Sequence, residues 1–365
     1  MTVPTEARFA RTVLADYLRL ARNEPVTVEA WSSALDLARS FVLEARRQGA
    51  SATLVLEDEE AFFDALTGGG PVPEPAPALA RARGGYVYLE GPEAFSRLLA
   101  LAPAEVRAVW RRHAGLWSAA ARAARVRGVR IRLTGISAAA AARYQVDLGA
   151  WRRETLEASS VPPRRLASAA RAIVRRLARA RRLTVTHPNG TRLELDLRPG
   201  RWLEESGRPV EVAHRADPVW QEIPTGRVTI PIAPRSVSGR WEANRPTYDR
   251  FADVPVDTGG RLTFRRGSLQ EFAFDRGGER FVHATARRLR RSRPVRAVAF
   301  GVNPRVVRTP EIGDLAWGAV SLRLAAPSDG APAREEAPPY VSVLDGASLE
   351  VDGRPWTFPD RAASR

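Results

Sequence analysis

Apolar residues recur at helical spacing from Phe9 to Ala21, where Phe9, Val13, Leu14, Tyr17 and Leu18 form one stripe. Pro25-Val-Thr-Val predicts a short strand. Ser33 to Gln48 predicts a second amphipathic helix through Leu35, Ala38, Phe41, Val42 and Ala45, stopped by Gly49. Ala52-Thr-Leu-Val-Leu predicts a buried strand, and Asp58 stands where it can cap the short helix that follows. Tyr86-Val-Tyr-Leu and Val129-Arg-Ile-Arg-Leu predict two more strands, separated by a helical pattern from Pro103 to Arg125. Such alternation predicts a parallel sheet covered by helices. The loop from Thr67-Gly-Gly-Gly-Pro to Pro77 lacks a following Gly-Lys-Ser/Thr, so a phosphate-binding loop is not expected there. The G-x-G-x-x-G fingerprint is missing as well, so the alternation does not by itself imply a dinucleotide.

A longer helix is predicted from Arg164 to Arg181. Leu166, Ala170, Ile173, Val174 and Leu177 line one side; Arg164, Arg165, Arg171, Arg175, Arg176 and Arg179 cover much of the rest. That arginine face reads either as an anion-binding surface or as an ordinary solvated face. Leu183 to Leu197 then alternates on both sides of Asn189-Gly190, a hairpin signal. Beyond it strands dominate, at 227–232, 261–264, 272–274, 295–300, 317–324, 340–344 and 348–351. One helix near Gly277 to Arg291 interrupts them, and Ala326 to Pro339 reads as a surface loop. The pattern predicts an N-terminal parallel-sheet α/β domain, residues 1–204, followed by a β-rich α+β domain, residues 205–365.

Composition narrows the chemistry. The 365 residues contain no cysteine, which excludes disulfides, thiolate metal sites and cysteine nucleophiles. Neither a leader-type N-terminus nor an apolar run of membrane-spanning length is present, so a cytoplasmic protein without membrane contact is expected. The formal charge is +16, and all 57 basic residues are arginine. A total absence of lysine points to compositional bias, while binding of nucleic acid or another anion stays open. The histidines are His113, His187, His214 and His283; none stands in an H-E-x-x-H context. No G-x-S-x-G elbow occurs. Carboxylate candidates are Glu204 with Glu205, Glu271 with Asp275, Glu311 with Asp314, and Glu335 with Glu336; sequence alone does not say which converge. Between Glu222 and Pro231, the turn Pro224-Thr-Gly226 leads into a β-rich run whose first residue is Arg227, a place suited to projecting a side chain into a cleft.

The order and spacing of several short motifs resemble the thermophilic metallo-aminopeptidases of the aminopeptidase T type, over nearly the full length. They are Gly49-Ala-Ser, Asn189-Gly-Thr, Pro224-Thr-Gly, Gly301-Val-Asn-Pro, Glu311-Ile-Gly-Asp through Gly318-Ala-Val, Leu344-Asp-Gly and Val351-Asp-Gly. The resemblance implies a homodimer and a C-terminal two-metal site, where a cobalt or zinc pair activates water against an N-terminal peptide bond. The ligands it implies are two glutamates, two histidines and an aspartate. The first glutamate falls on Arg227, the second on Ala297 and the first histidine on Ser321. The closing His-x-Asp pair has no counterpart, because no histidine follows His283, and the family's tyrosine is missing from Ala325-Ala-Pro-Ser328. A pair of divalent cations needs carboxylates to offset about +4 of charge, and an arginine would repel it.

The resemblance so amended implies a family fold with an emptied metal site and no cofactor: a catalytically inactive homologue that dimerises. Its Arg227 would offer a bidentate fork to a peptide carboxylate or a small anion such as phosphate. Two alternatives stand beside it: an active metal-dependent aminopeptidase with ligands rearranged onto Glu311, Asp314, Glu335 and Asp345, and a basic scaffold for nucleic acid. The resemblance also extends to relatives with ring-opening oxidation at a mononuclear iron, which needs the same kinds of ligand.

Overall fold

A computed structural model describes residues 5–67, 82–93, 126–133, 136–207, 220–245, 260–273, 294–307, 312–324 and 340–359. The stripe beginning at Phe9 folds as a helix, Thr5–Thr12, continued by a wider helical turn, Val13–Tyr17. Phe9, Val13, Leu14 and Tyr17 are all buried, and the Tyr17 hydroxyl donates to the Val161 carbonyl at 2.8 Å. The helix Leu35–Arg47 sets Phe41 edge-on to Phe9, with ring centroids 5.5 Å apart. Gly49, at φ 78°, ends that helix in a conformation that suits glycine. These helices share one core with a five-stranded sheet.

The strands of that sheet are β1 (Pro25–Trp31), β2 (Ser51–Glu57), β3 (Gly85–Glu90), β4 (Arg127–Arg132) and β8 (Trp220–Ile223). They run in the order β2-β1-β3-β4-β8, every pair parallel, as the alternation of elements predicts. One expectation is corrected. Because β1 pairs with β3 on its other side, β2 lies at the sheet edge, where Leu54 and Leu56 remain 37% and 49% exposed instead of buried. The cap at Asp58 does form, accepting from the Ala61 N–H at 2.8 Å.

The second unit holds two antiparallel sheets. One contains the hairpin β5 (Arg182–Thr186) and β6 (Arg192–Asp196), with β10 (Ser238–Glu242), β11 (Arg261–Arg265), β12 (Ser268–Ala273), β16 (Ser348–Val351) and β17 (Arg354–Trp356), in the order β12-β11-β10-β6-β5-β16-β17. The other contains β7 (Leu203–Glu205), β9 (Arg227–Pro231), β13 (Val295–Gly301), β14 (Val320–Leu324) and β15 (Tyr340–Leu344), in the order β15-β14-β13-β9-β7. Both sheets and the helix Pro163–Leu177 bury their apolar sides in a single cluster, through Ile173 and Leu177, Val185, Leu193 and Trp241, and Ile230, Val298 and Leu322. In the hairpin, Gly190 alone of the Asn189-Gly190 pair takes a positive φ. The Asn189 side chain accepts from Thr191 N–H at 3.1 Å and donates to the Glu242 carbonyl at 2.8 Å.

Contacts divide the chain into residues 1–163 with 207–225 and residues 164–206 with 226–365, not at residue 204. The physical reason is strand pairing. The hairpin β5–β6 bonds to β16 and β10, far downstream, while β8 returns to the parallel sheet beside β4. The helical pattern at 103–125, the helix expected at 277–291 and the loop at 326–339 lie outside the described residues. Among the described residues no helix is long and apolar enough to cross a membrane.

Gly301 closes β13 under the 3-10 turn Gly313–Leu315, and the chain there is knitted by Asn303 N–H to Leu315 O at 2.8 Å and Gly318 N–H to Gly301 O at 3.1 Å. A Cβ at residue 301 would lie 2.0 Å from the Ala316 carbonyl oxygen, a backbone atom that cannot step aside. Gly301→Ala is therefore expected to cost about 1–3 kcal/mol or more in urea unfolding, as overpacking does.

Candidate functional site

The sheet containing β9 has two unlike faces. Val228, Ile230, Val298, Phe300, Val320 and Leu322 turn toward the core. Direct cross-strand partners share a face, so the opposite face reads in rows. Glu205, Arg227 and Gly301 make the first, Leu203, Thr229, Ala299, Ser321 and Val343 the second, and Pro231, Ala297, Arg323 and Val341 the third. Arg227, Ala297 and Ser321 thus occupy one face of three adjacent strands, each in a different row. Arg227 and Ala297 are two rows apart, about 13 Å along the strands. The structure places them on a common surface without gathering them at one point.

What it does gather is a charge cluster. The Arg227 fork closes on Glu205, Nε to Oε2 at 2.5 Å and Nη2 to Oε1 at 2.7 Å, and Nη1 donates to Asp314 Oδ2. Arg323 Nη1 stands 3.5 Å from the same Asp314 oxygen. Two positive and two negative side chains therefore sum to zero. Only 16% of the Arg227 side chain and 9% of the Asp314 side chain stay exposed. Burial works against the guanidinium charge, but Asp314 and Glu205 outweigh it and hold the Arg227 pKa well above its ordinary value.

Local backbone explains the placement. Gly226 takes φ 126°, its N–H donating to the Glu205 carbonyl at 2.9 Å and its carbonyl accepting from Val302 N–H at 2.8 Å. A Cβ there would come within 2.9 Å of the Asn303 Cβ. Pro224-Thr-Gly226 is thus the turn that delivers Arg227, as the sequence suggests. The anion-binding fork expected at Arg227 is already occupied by Glu205, an internal carboxylate.

The other candidates separate. Glu204 accepts from the Ser206 hydroxyl at 2.6 Å, Glu271 from the Thr263 hydroxyl at 3.0 Å, and Asp345 from Arg245. His187 Nδ1 accepts from Asn189 N–H at 3.1 Å, which makes it a turn residue. His113, His214, His283, Asp275, Glu311, Glu335 and Glu336 lie outside the described residues. Among the described residues no three His, Asp or Glu side chains are grouped so as to hold a metal ion. Arg323 and Thr229 also stand on this face, and no motif in the sequence marks them. Their signal is alternation, since each stands two residues from a position already singled out on the same face. The Thr229 and Ser321 hydroxyls are buried there without a hydrogen-bond partner.

Three comparisons bear on this arrangement. No protein-family model matches the sequence, and no curated protein matches it. Among solved structures, wild-type AmpT (aminopeptidase T) from Thermus thermophilus is similar with a TM-score of 0.67 and 19% identity over 98% of both chains. The fold is aminopeptidase-like. The 2,5-dihydroxypyridine dioxygenase from Pseudomonas putida KT2440 is also similar, with a TM-score of 0.54 and 13% identity over the whole of both chains. One fold therefore accompanies two chemistries, and it is the residues on it that must decide between functions.

The parallel sheet carries a second polar cluster. Glu29 is fully buried and accepts from the Tyr86 hydroxyl, while Arg130 bonds Glu90 at 2.5 Å and lies 3.5 Å from Glu222. Glu29 alternates with Val26, Val28 and Ala30 of the core, so the strand pattern itself puts it on the other face. Glu57 stands in the same cluster. Burial, then the hydrogen bond and charge of Glu29, push its carboxyl up from 4.5 to about 9. A folded-state pKa above the unfolded one means the native protein holds the extra proton. Stability from this group is full below about pH 4.5 and declines as pH rises toward 9. In wild type, the unfolding free energy should fall across that window by at most about 1.4 kcal/mol per pH unit from this proton. Glu57→Gln should flatten the slope, read by urea unfolding at several pH values.

Proposed function

We propose that this chain is an aminopeptidase-fold homologue in which a guanidinium has taken over the role of the metal charge, leaving a protein that dimerises without metallopeptidase activity and binds an anion or peptide carboxylate only by displacing Glu205 from the Arg227 fork. The observation that carries the reading is Arg227 held bidentately by Glu205 and bonded to Asp314. Among the described residues Glu205 and Asp314 are the acids that meet at Arg227, and both are committed to a cation that cannot be deprotonated. Ala297 and Ser321 add no strong donor for a hard or borderline cation. The residues present therefore do not fit a pair of divalent metals, and no hydrolytic step is derived through one. Rearranged ligands fare no better at the two described positions, since Asp314 is tied to Arg227 and Arg323, and Asp345 to Arg245.

Purified protein offered cobalt, zinc or manganese is expected to take up no stoichiometric metal and to leave aminoacyl reporter substrates uncleaved; metal uptake with turnover would overturn the reading. Light scattering should give twice the chain mass. Arg227→Met strands two carboxylates and should lower stability by about 2–4 kcal/mol, somewhat less than for a fully buried pair because Glu205 is partly exposed. If the guanidinium stands in for a metal, cobalt or zinc should raise the melting temperature of Arg227→Met and leave wild type unchanged. Equal responses would mean that Arg227 is a structural ion pair only.

A further inference from the structure

Several arginines of the second unit find acids: Arg182 with Asp196, Arg227 with Glu205, Arg240 with Glu242, and Arg245 with Asp345. Four do not. Arg175 and Arg176 in the last turn of the helix Pro163–Leu177, Arg179 just beyond it, and Arg354 at the start of β17, all exposed, line one hollow of about 410 Å³, and among the described residues none of the four has an ion pair. Basic residues in a last helical turn complement the helix dipole, which accounts for Arg175 and Arg176. It does not account for Arg179, past the helix end, or for Arg354, brought from a different element to face the others. Like charges gathered from two elements repel unless something negative is supplied.

The hollow's own carboxylate is Asp352, and it is otherwise committed. Its Oδ1 accepts from Arg181 N–H at 2.9 Å and Arg182 N–H at 2.8 Å, and its own N–H donates to the Arg182 carbonyl at 3.0 Å. Those backbone bonds, with smaller help from the charges of Arg176 and Arg181, hold its pKa down, so it stays ionised while fixing the turn between β16 and β17. Four guanidiniums and one carboxylate leave a net charge of +3, by 4 − 1. The remaining lining is Ala180 and Val351, with no aromatic ring to stack on a base and no neutral amide side chain to read one.

We propose that this hollow binds a short run of linked phosphates, the size of a di- or triphosphate group, through charge-assisted hydrogen bonds from Arg175, Arg176, Arg179 and Arg354. Its volume falls within the range of small-ligand sites, and guanidinium forks match phosphate oxygens. Inorganic polyphosphate and the phosphate tail of a nucleotide present the same chemistry. The site stands apart from the Arg227 cluster and does not depend on the reading given for it.

Calorimetric titration of the full chain tests this with tripolyphosphate, pyrophosphate, orthophosphate and sulfate at matched ionic strength. Affinity should rise with the number of linked phosphates, and a nucleoside triphosphate should bind no tighter than tripolyphosphate. Arg179→Gln and Arg354→Gln should each weaken tripolyphosphate about tenfold. Arg171→Gln, an exposed change on the same helix outside the hollow, should leave it unaltered. Unchanged melting temperatures would show that the variants fold. Four results overturn the proposal: equal affinity for sulfate and tripolyphosphate, equal weakening by Arg171→Gln, a nucleotide preference of tenfold or more, or binding to oligonucleotides alone with strength growing with length.

Discussion

The clasp of Arg227 between Glu205 and Asp314 is the interaction on which this face of the second unit depends. Each charge comes from a different stretch of chain: Glu205 from β7, Arg227 from β9, Asp314 from the turn above β13, and Arg323 from β14. Strand register puts Glu205 and Gly301 on either side of Arg227, and the missing Cβ of Gly301 lets the Asp314 turn descend onto the row. A buried ion pair is not in itself a strong source of stability, because desolvation offsets most of the attraction. Its consequence is constraint. With Arg227 and Asp314 largely buried and Glu205 half-buried against them, removing any one leaves the others short of a partner, so the three backbone segments are held together.

That constraint acts on a known fold. The aminopeptidase-like fold supplies the sheet face, and the charges on it are set by these residues. Arg227 stands in the row between Glu205 and Gly301, and Glu205 and Asp314 turn to it. Arginine suits this better than lysine, since its planar fork satisfies a carboxylate with two parallel bonds and keeps its charge when buried. Beyond the charged row the face is mostly apolar, and the Thr229 and Ser321 hydroxyls buried on it are not strong metal donors.

Reading the chain by pattern recovered most elements because their signals are local. Helical stripes, the Asp58 cap, the Gly49 stop and the Asn189-Gly190 turn each rest on residues within a few positions of one another. The misplacements share a cause. The run Ala52 to Leu56 is as apolar as an interior strand, yet whether it is interior depends on β1 choosing β3 as its other neighbour. The same holds for the break expected at residue 204: nothing near β5 and β6 announces that their partners are β16 and β10. At the candidate site, Glu205 and Asp314 were visible as members of two acidic pairs, but their meeting at Arg227 spans 22 and 87 positions of chain.

Sequence by itself determined the class of the fold, the parallel sheet followed by antiparallel ones, and the turn that delivers Arg227, because periodicity and turn chemistry act over short stretches. It also determined that the basic residues are all arginine. Only the tertiary structure decided which of those arginines are neutralised and which stand open. Arg227 is closed by an acid two strand elements away, whereas Arg175, Arg176, Arg179 and Arg354 converge on a hollow whose one carboxylate is held by backbone N–H groups. The reason is physical: electrostatic energy depends on separation in space and on burial, and neither is written in the spacing of residues along a chain.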